Sequence, residues 1–351
     1  MRRSTARRGL GSGPGVFAIL LLVLVLPACA PRVAAPGPMM DVATQAPGIE
    51  PGVARMADGA LLPLRVWRPE DPQAETSAAI VALHGFNDYG TFFETFGEYL
   101  AARGIVSYAY DQRGFGAAPN TGLWAGADAY PADLRAVVAM VRARHPGVPV
   151  FVFGESMGGA AAMVALAEPP GLDADGVILA APAVWARETM PFYQRWLLDL
   201  SAHVVPWASL SGRGLDIRPS DNIEMLKALG RDPLVIKETR IDTLYGLVNL
   251  MDRALAASEA LGPGTLILYG ANDDVIRKGP TIEMLRRLPD DAARRPRVAL
   301  YDTGYHMLIR DLGAETVWRD VAQWIADPSG PLPSGADAAG AAFAAGEPYS
   351  D

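Results

Sequence analysis

The stretch VFVFGESMGGAAAMVALA (150–167) runs from an apolar, β-branched and aromatic segment through a glycine-flanked serine into an alanine-rich segment. The first part suits a buried strand and the last a helix, so Ser156 falls on the turn between them. A serine at the centre of G-x-S-x-G in this setting sits on a sharp turn, with its hydroxyl exposed at the top of a sheet. Gly154 and Gly158 keep the flanking positions free of Cβ atoms, so the backbone can bend there. Ser156 is therefore read as a nucleophile. The helix that starts behind it brings positive dipole to any oxyanion that forms.

Outward from this turn, continuously apolar runs alternate with helix-compatible segments. The strand candidates are 61–69, 78–85, 104–114, 148–156, 176–182, 264–273 and 297–304. Continuous rather than alternating apolarity predicts strands covered on both faces. Segments 91–104, 127–147, 156–168 and 313–327 carry helical spacing with Gly or Pro stops. The alternation predicts an α/β fold: a mostly parallel, doubly wound sheet. Residues 183–262 break the rhythm. They hold no clear strand but many aromatics, including Trp185, Phe192, Tyr193, Trp196 and Trp207. This insertion is read as a helical cap over a lipophilic pocket, the alternative being extra helix on the flank of the sheet.

A serine hydroxyl needs a base. The chain has 4 histidines, of which only His203 and His306 follow Ser156. His203 falls inside the insertion, whereas His306 in YDTGYHMLIRD lies just past the last strand, where a sheet-top base belongs. The acid orienting it is expected after the preceding strand, in LILYGANDDVI. Asp273 is the first choice, with Asp274 its main rival and Asp302 at the end of the next strand. Two backbone N–H groups should hold the oxyanion: Met157, after the nucleophile, and Phe86, in the loop ALHGFND. His84 precedes the serine and is read as a structural brace.

The motifs LHGFND, DQRGFG, GESMGG, GANDDVI and GYHMLIRD, in this order, resemble the monoacylglycerol lipase and lysophospholipase group of serine α/β-hydrolases over residues 52–327. The resemblance implies an α/β-hydrolase fold with an inserted helical cap that forms the acyl channel. It implies Ser156 as nucleophile, Asp273 as acid, His306 as base, and Phe86 and Met157 as oxyanion donors, with no cofactor. Ala117 and Ala118 depart from the group's pattern, which often has a serine after DQRGFG. The expected reaction is two-step acyl transfer from a small amphiphilic ester. The alternatives are a carboxylesterase or aminopeptidase on soluble substrates, or an inactive hydrolase fold serving as a binding module.

The composition narrows the partners. With 39 acidic and 31 basic residues the net charge is −8, which disfavours nucleic acid. No zinc-ligand cluster or calcium-loop spacing is visible, and DQRGFG lacks the lysine of a phosphate-binding loop. The chain opens with four arginines in MRRSTARR, then the short apolar run VFAILLLVLVL (16–26), then PACA, the pattern of a secretory signal. Cys29, the single cysteine, stands where a bacterial lipoprotein signal is lipidated. The expected organisation is a signal over 1–28, a flexible tether over 29–51, hydrolase core over 52–182 and 263–327, cap over 183–262, and a disordered tail over 328–351. The expected location is the bacterial envelope, anchored to membrane through the lipidated Cys29, with the outer membrane favoured in a Gram-negative source.

Overall fold

The structure is a computed structural model that describes residues 30–34, 46–71, 73–212, 214 and 216–346. The chain enters through three antiparallel strands, β1 (Gly48–Glu50), β2 (Val53–Arg55) and β3 (Leu61–Trp67). The apolar runs then fold as β4 (Ala78–Leu83), β5 (Ile105–Tyr110), β6 (Val150–Glu155) and β7 (Gly176–Ala180). After β8 (Ser209–Ser211) and β9 (Glu238–Arg240), the sheet resumes with β10 (Thr265–Gly270) and β11 (Arg297–Tyr301). The main sheet has the order β1-β2-β3-β5-β4-β6-β7-β10-β11 and is parallel from β5 onward.

Every residue of β4, β5, β6, β7 and β10 is buried. Side chains alternate between two apolar layers, so that Val81 and Val152 face one while Ile80 and Phe153 face the other. The helices are α1 (Glu94–Ala101), α2 (Ala129–Arg144), α3 (Met157–Ala167), α4 (Phe192–Val204), α5 (Ile223–Arg231), α6 (Ile241–Ala257), α7 (Lys278–Arg286), α8 (Ala314–Ala326) and α9 (Ala336–Ala344). Helices α2, α3, α6 and α7 supply one layer, and α1 and α8 the other. Two covered faces explain why the strands carry no polar alternation.

Three boundaries differ from the sequence reading. The ordered sheet begins before residue 52: Gly48–Glu50 pairs with Val53–Arg55 across a turn whose Gly52 has φ +77°. A strand of three residues is too short to show a period. Ahead of it, the Ala34 N–H donates to the Trp124 carbonyl at 2.7 Å, so the segment expected as free tether touches the core. The region 328–351, expected to be a disordered tail, instead carries α9 along β11. A Cβ on Gly340 would lie 2.1 Å from the Val298 carbonyl oxygen, so glycine lets the helix lie directly on the strand. The Phe343 ring stacks on Tyr269 at 5.8 Å and 9°. Its alanine content reads as low complexity in sequence but has high helix propensity.

The third difference is in the insertion. Helix α6 is largely buried and packs on α3, so it belongs to the core, and the cap proper is the part before it. That part also holds a two-stranded antiparallel ladder, Ser209↔Arg240 to Ser211↔Glu238, where no strand was expected. The signal over 1–28 and Cys29 lie outside the described residues. No helix among the described residues is long and apolar enough to cross a membrane.

Candidate active site

Ser156 stands between the last residue of β6 and the first of α3, at φ 52°, ψ −114°. Such a conformation costs a non-glycine residue about 1–3 kcal/mol and persists only where its surroundings impose it. Here they do. A Cβ on Gly154 would lie 2.6 Å from the Gly158 carbonyl oxygen, and one on Gly158 would lie 2.4 Å from that of Leu83. Both glycines are thus required for strand, turn and helix to pack this closely. The Ser156 N–H donates to the Ala180 carbonyl at 2.9 Å, which ties the turn to β7.

His306 lies 2.9 Å, through Nδ1, from Oδ2 of Asp273. The other oxygen of that carboxylate, Oδ1, accepts from the N–H groups of Val275 (2.8 Å) and Ile276 (2.9 Å). Loop backbone therefore fixes which oxygen faces the histidine. Burial alone would push the His306 pKa down, but the charge and hydrogen bond of Asp273, helped by Glu155, hold it above the ordinary histidine value. Asp274 and Asp302 are solvent-exposed and do not touch His306. Ser156 and His306 line the same cavity without hydrogen-bonding each other here. In empty sites this contact is commonly long and tightens with substrate bound.

The Phe86 loop passes directly over the serine: a Cβ on Gly85 would lie 3.3 Å from the Ser156 Cβ. Among the described residues, neither the Phe86 nor the Met157 N–H has a hydrogen-bond partner. His84 is a brace, as expected. Its Nδ1–H donates to the Gly85 carbonyl at 2.8 Å and its Nε2 accepts from the Gln112 N–H at 2.9 Å. His203 is exposed on the cap helix α4.

One part of the site was missed in the sequence. Arg310, four residues after His306, is buried and donates to Asp88 Oδ2 and to Glu155 Oε1, each at 2.7 Å. Asp88 follows Phe86 by two residues, and Glu155 immediately precedes Ser156. A single guanidinium thus ties together the loops that carry Phe86, Ser156 and His306. Burial works against its charge, but the two carboxylates outweigh burial and raise its pKa. Replacing Arg310 with Met would leave two buried carboxylates unpaired and should cost about 3–5 kcal/mol of stability, measured by urea denaturation. A loss below 1 kcal/mol would show that the cluster does not hold the loops.

The cavity beside Ser156 has a volume of about 480 Å³, well within the range of small-molecule sites. Trp185, Met190, Leu198 and Ile217 close it from above, while Leu244, Leu247, Val248 and Met251 line it from α6. Among the described residues, no group of three or more His, Cys, Asp or Glu is placed to hold a metal ion.

The chain is similar to several known proteins. Human monoglyceride lipase is 26% identical over 276 residues, covering 77% of this chain and 88% of that one. The monoacylglycerol lipase of Mycolicibacterium smegmatis is 24% identical over 273 residues, covering 74% and 91%. In structure, a soluble variant of Saccharomyces cerevisiae monoglyceride lipase in complex with a substrate analog superposes with a TM-score of 0.66 at 21% identity, over 83% of this chain and 98% of that one. The family model described as "Hydrolase_4: Serine aminopeptidase, S33" matches residues 74–313. That span runs from just before β4 to just before α8 and contains the serine turn, the Phe86 loop, the cap and the Asp273–His306 pair, so the chain belongs to this family of serine hydrolases with the α/β-hydrolase fold.

Proposed function

We propose that the protein hydrolyses monoacyl lipid esters by a Ser156–His306–Asp273 acyl-enzyme mechanism. His306, neutral at Nε2, takes the Ser156 proton as the hydroxyl oxygen attacks the ester carbonyl. The N–H groups of Phe86 and Met157 donate to the resulting oxyanion. His306 then gives its proton to the leaving alcohol, and a water activated by the same imidazole resolves the acyl-enzyme.

The observation that carries the lipid reading is the wall of the cavity, which is apolar on both its cap and core sides. A peptidase reading, suggested by the family's name, needs an anion to meet the substrate's α-ammonium. The deep carboxylates, Asp88 and Glu155, are already held by Arg310, and Asp274 stands at the exposed rim. A panel of p-nitrophenyl esters, 1-palmitoylglycerol and aminoacyl p-nitroanilides separates these readings. We expect kcat/KM to rise up to roughly fourfold per added acyl methylene until the cavity is full, since each buried methylene contributes about 0.8 kcal/mol. Preference for the anilides would overturn the lipid reading.

We also propose that the protein works at the envelope membrane, tethered through a lipidated Cys29. Support comes from the signal-like sequence and from the cap, where Phe192, Trp196 and Leu197 are 76, 65 and 58% exposed along α4. An apolar patch of this kind suits an amphiphile-rich surface. Metabolic palmitate labelling should appear in the wild type and vanish in Cys29→Ser; an unlabelled wild type refutes the anchor.

A further inference from the structure

A second hollow adjoins the catalytic cavity at Arg277. Arg277 and Asp274 also line a second, open basin of about 630 Å³, whose other walls include Arg218, Lys278 and Tyr305. In a chain of net charge −8, this basin gathers three cationic side chains around one exposed carboxylate, Asp274. Its second carboxylate, Asp273, is buried and hydrogen-bonded to His306. Arg218 comes from the cap, and its guanidinium carbon lies 5.3 Å from the centre of the Tyr305 ring, a stacking that orients the group over the basin. Its neighbours in sequence, Ile217 and Pro219, line the catalytic cavity. The basin therefore adjoins that cavity where cap residues 217–219 meet the core loop of Asp274 and Arg277.

The reaction direction fixes which part of a substrate would lie there. The leaving alcohol must receive its proton from His306, so the headgroup sits on the histidine side of Ser156. Tyr305 and Asp273, the sequence neighbour and hydrogen-bond partner of that histidine, are walls of the basin. The acyl chain is left to the apolar side, between Leu198 and Met251. A glycerol headgroup offers the basin no charge. A phosphate offers oxygens that planar guanidinium groups can grip in pairs.

We infer that Arg218 and Arg277 select an anionic headgroup, so that the preferred substrate is a monoacyl ester carrying a phosphate on its alcohol side, a lysophospholipid rather than a neutral monoacylglycerol. This rests on the lipid-ester reading above and narrows it.

The test compares kcat/KM of the full chain, in detergent, on 1-palmitoyl-lysophosphatidylglycerol and 1-palmitoylglycerol at low and high salt. Wild type should favour the anionic lipid, and the preference should shrink with salt as exposed charges are screened. In Arg218→Gln/Arg277→Gln the ratio of the two kcat/KM values should fall roughly ten- to hundredfold, mostly through KM for the anionic lipid. Arg218→Lys/Arg277→Lys should keep part of the preference. A wild type that favours the neutral ester, a ratio unchanged in the glutamine variant, or an equal loss on both lipids would each overturn the headgroup assignment. Cleavage of 1-palmitoylglycerol without the anionic lipid refutes only this inference. Cleavage of neither lipid refutes the lipid-ester reading as well.

Discussion

Ser156→Ala should lower kcat on every ester substrate by at least about 10⁴-fold. The size follows from the covalent mechanism proposed above: without the oxygen no acyl-enzyme would form, and the proposed oxyanion donors and the cavity would retain only residual catalysis of direct water attack. The variant should remain folded. Among the described residues the Ser156 hydroxyl holds no hydrogen bond that alanine would sacrifice. Alanine also keeps the φ of 52° that the packing around Gly154 and Gly158 imposes. We therefore expect a change in stability below about 1 kcal/mol, read by thermal melting alongside the assay. Activity within tenfold of wild type, in a protein melting normally, would remove Ser156 from the mechanism. Loss of activity together with collapse of the melt would instead indicate a structural role for the hydroxyl.

The contrast between Ser156 and Arg310 shows what sequence can reveal about a site. The serine turn is local: strand, glycines, serine and helix all fall within 150–167, and the steric needs of the bend dictate the residue types. The pairing of His306 with Asp273 can be anticipated because residues at neighbouring strand ends meet at the top of a sheet, and the chain has few histidines to choose from. Arg310 has no such signature. Its partners Asp88 and Glu155 are 222 and 155 positions away, and each reads alone as an ordinary surface charge until the fold buries them together. The same limit explains the remaining misses. The strands β1, β8 and β9 are three residues long, too short for any period to appear. Helix α9 is recognisable only through what it packs on, β11 and Tyr269. Helix α6 has the apolar face of either a cap or a core helix, and only its contact with α3 decides.

Asp273→Asn should cost about 10⁴-fold in kcat, and the geometry says why a nearly isosteric change is so damaging. Oδ1 of Asp273 is held by the N–H groups of Val275 and Ile276. An asparagine would keep its carbonyl oxygen at those donors and turn its NH₂ toward His306. A donor facing Nδ1 forces the proton onto Nε2, the nitrogen that must be free to accept the serine proton. The pH profile should shift as well. On the proposed mechanism His306 must be neutral to act as base, so wild-type kcat/KM should rise with pH through a midpoint above the ordinary histidine value, because Asp273 raises that pKa. Without the carboxylate, burial acts with less opposition and the midpoint should move to lower pH. The stability linkage has a matching sign: a raised histidine pKa adds stability below about pH 6.5, the unfolded value, and loses it as pH rises through the folded pKa. The destabilisation caused by Asp273→Asn should therefore be larger at pH 5 than at pH 9. Asp274→Asn, at an exposed rim position away from His306, should cost no more than a few fold in kcat and leave the acid limb in place. If Asp274→Asn were the deeper loss, or if the acid limb moved upward in Asp273→Asn, the orienting role would pass to another carboxylate.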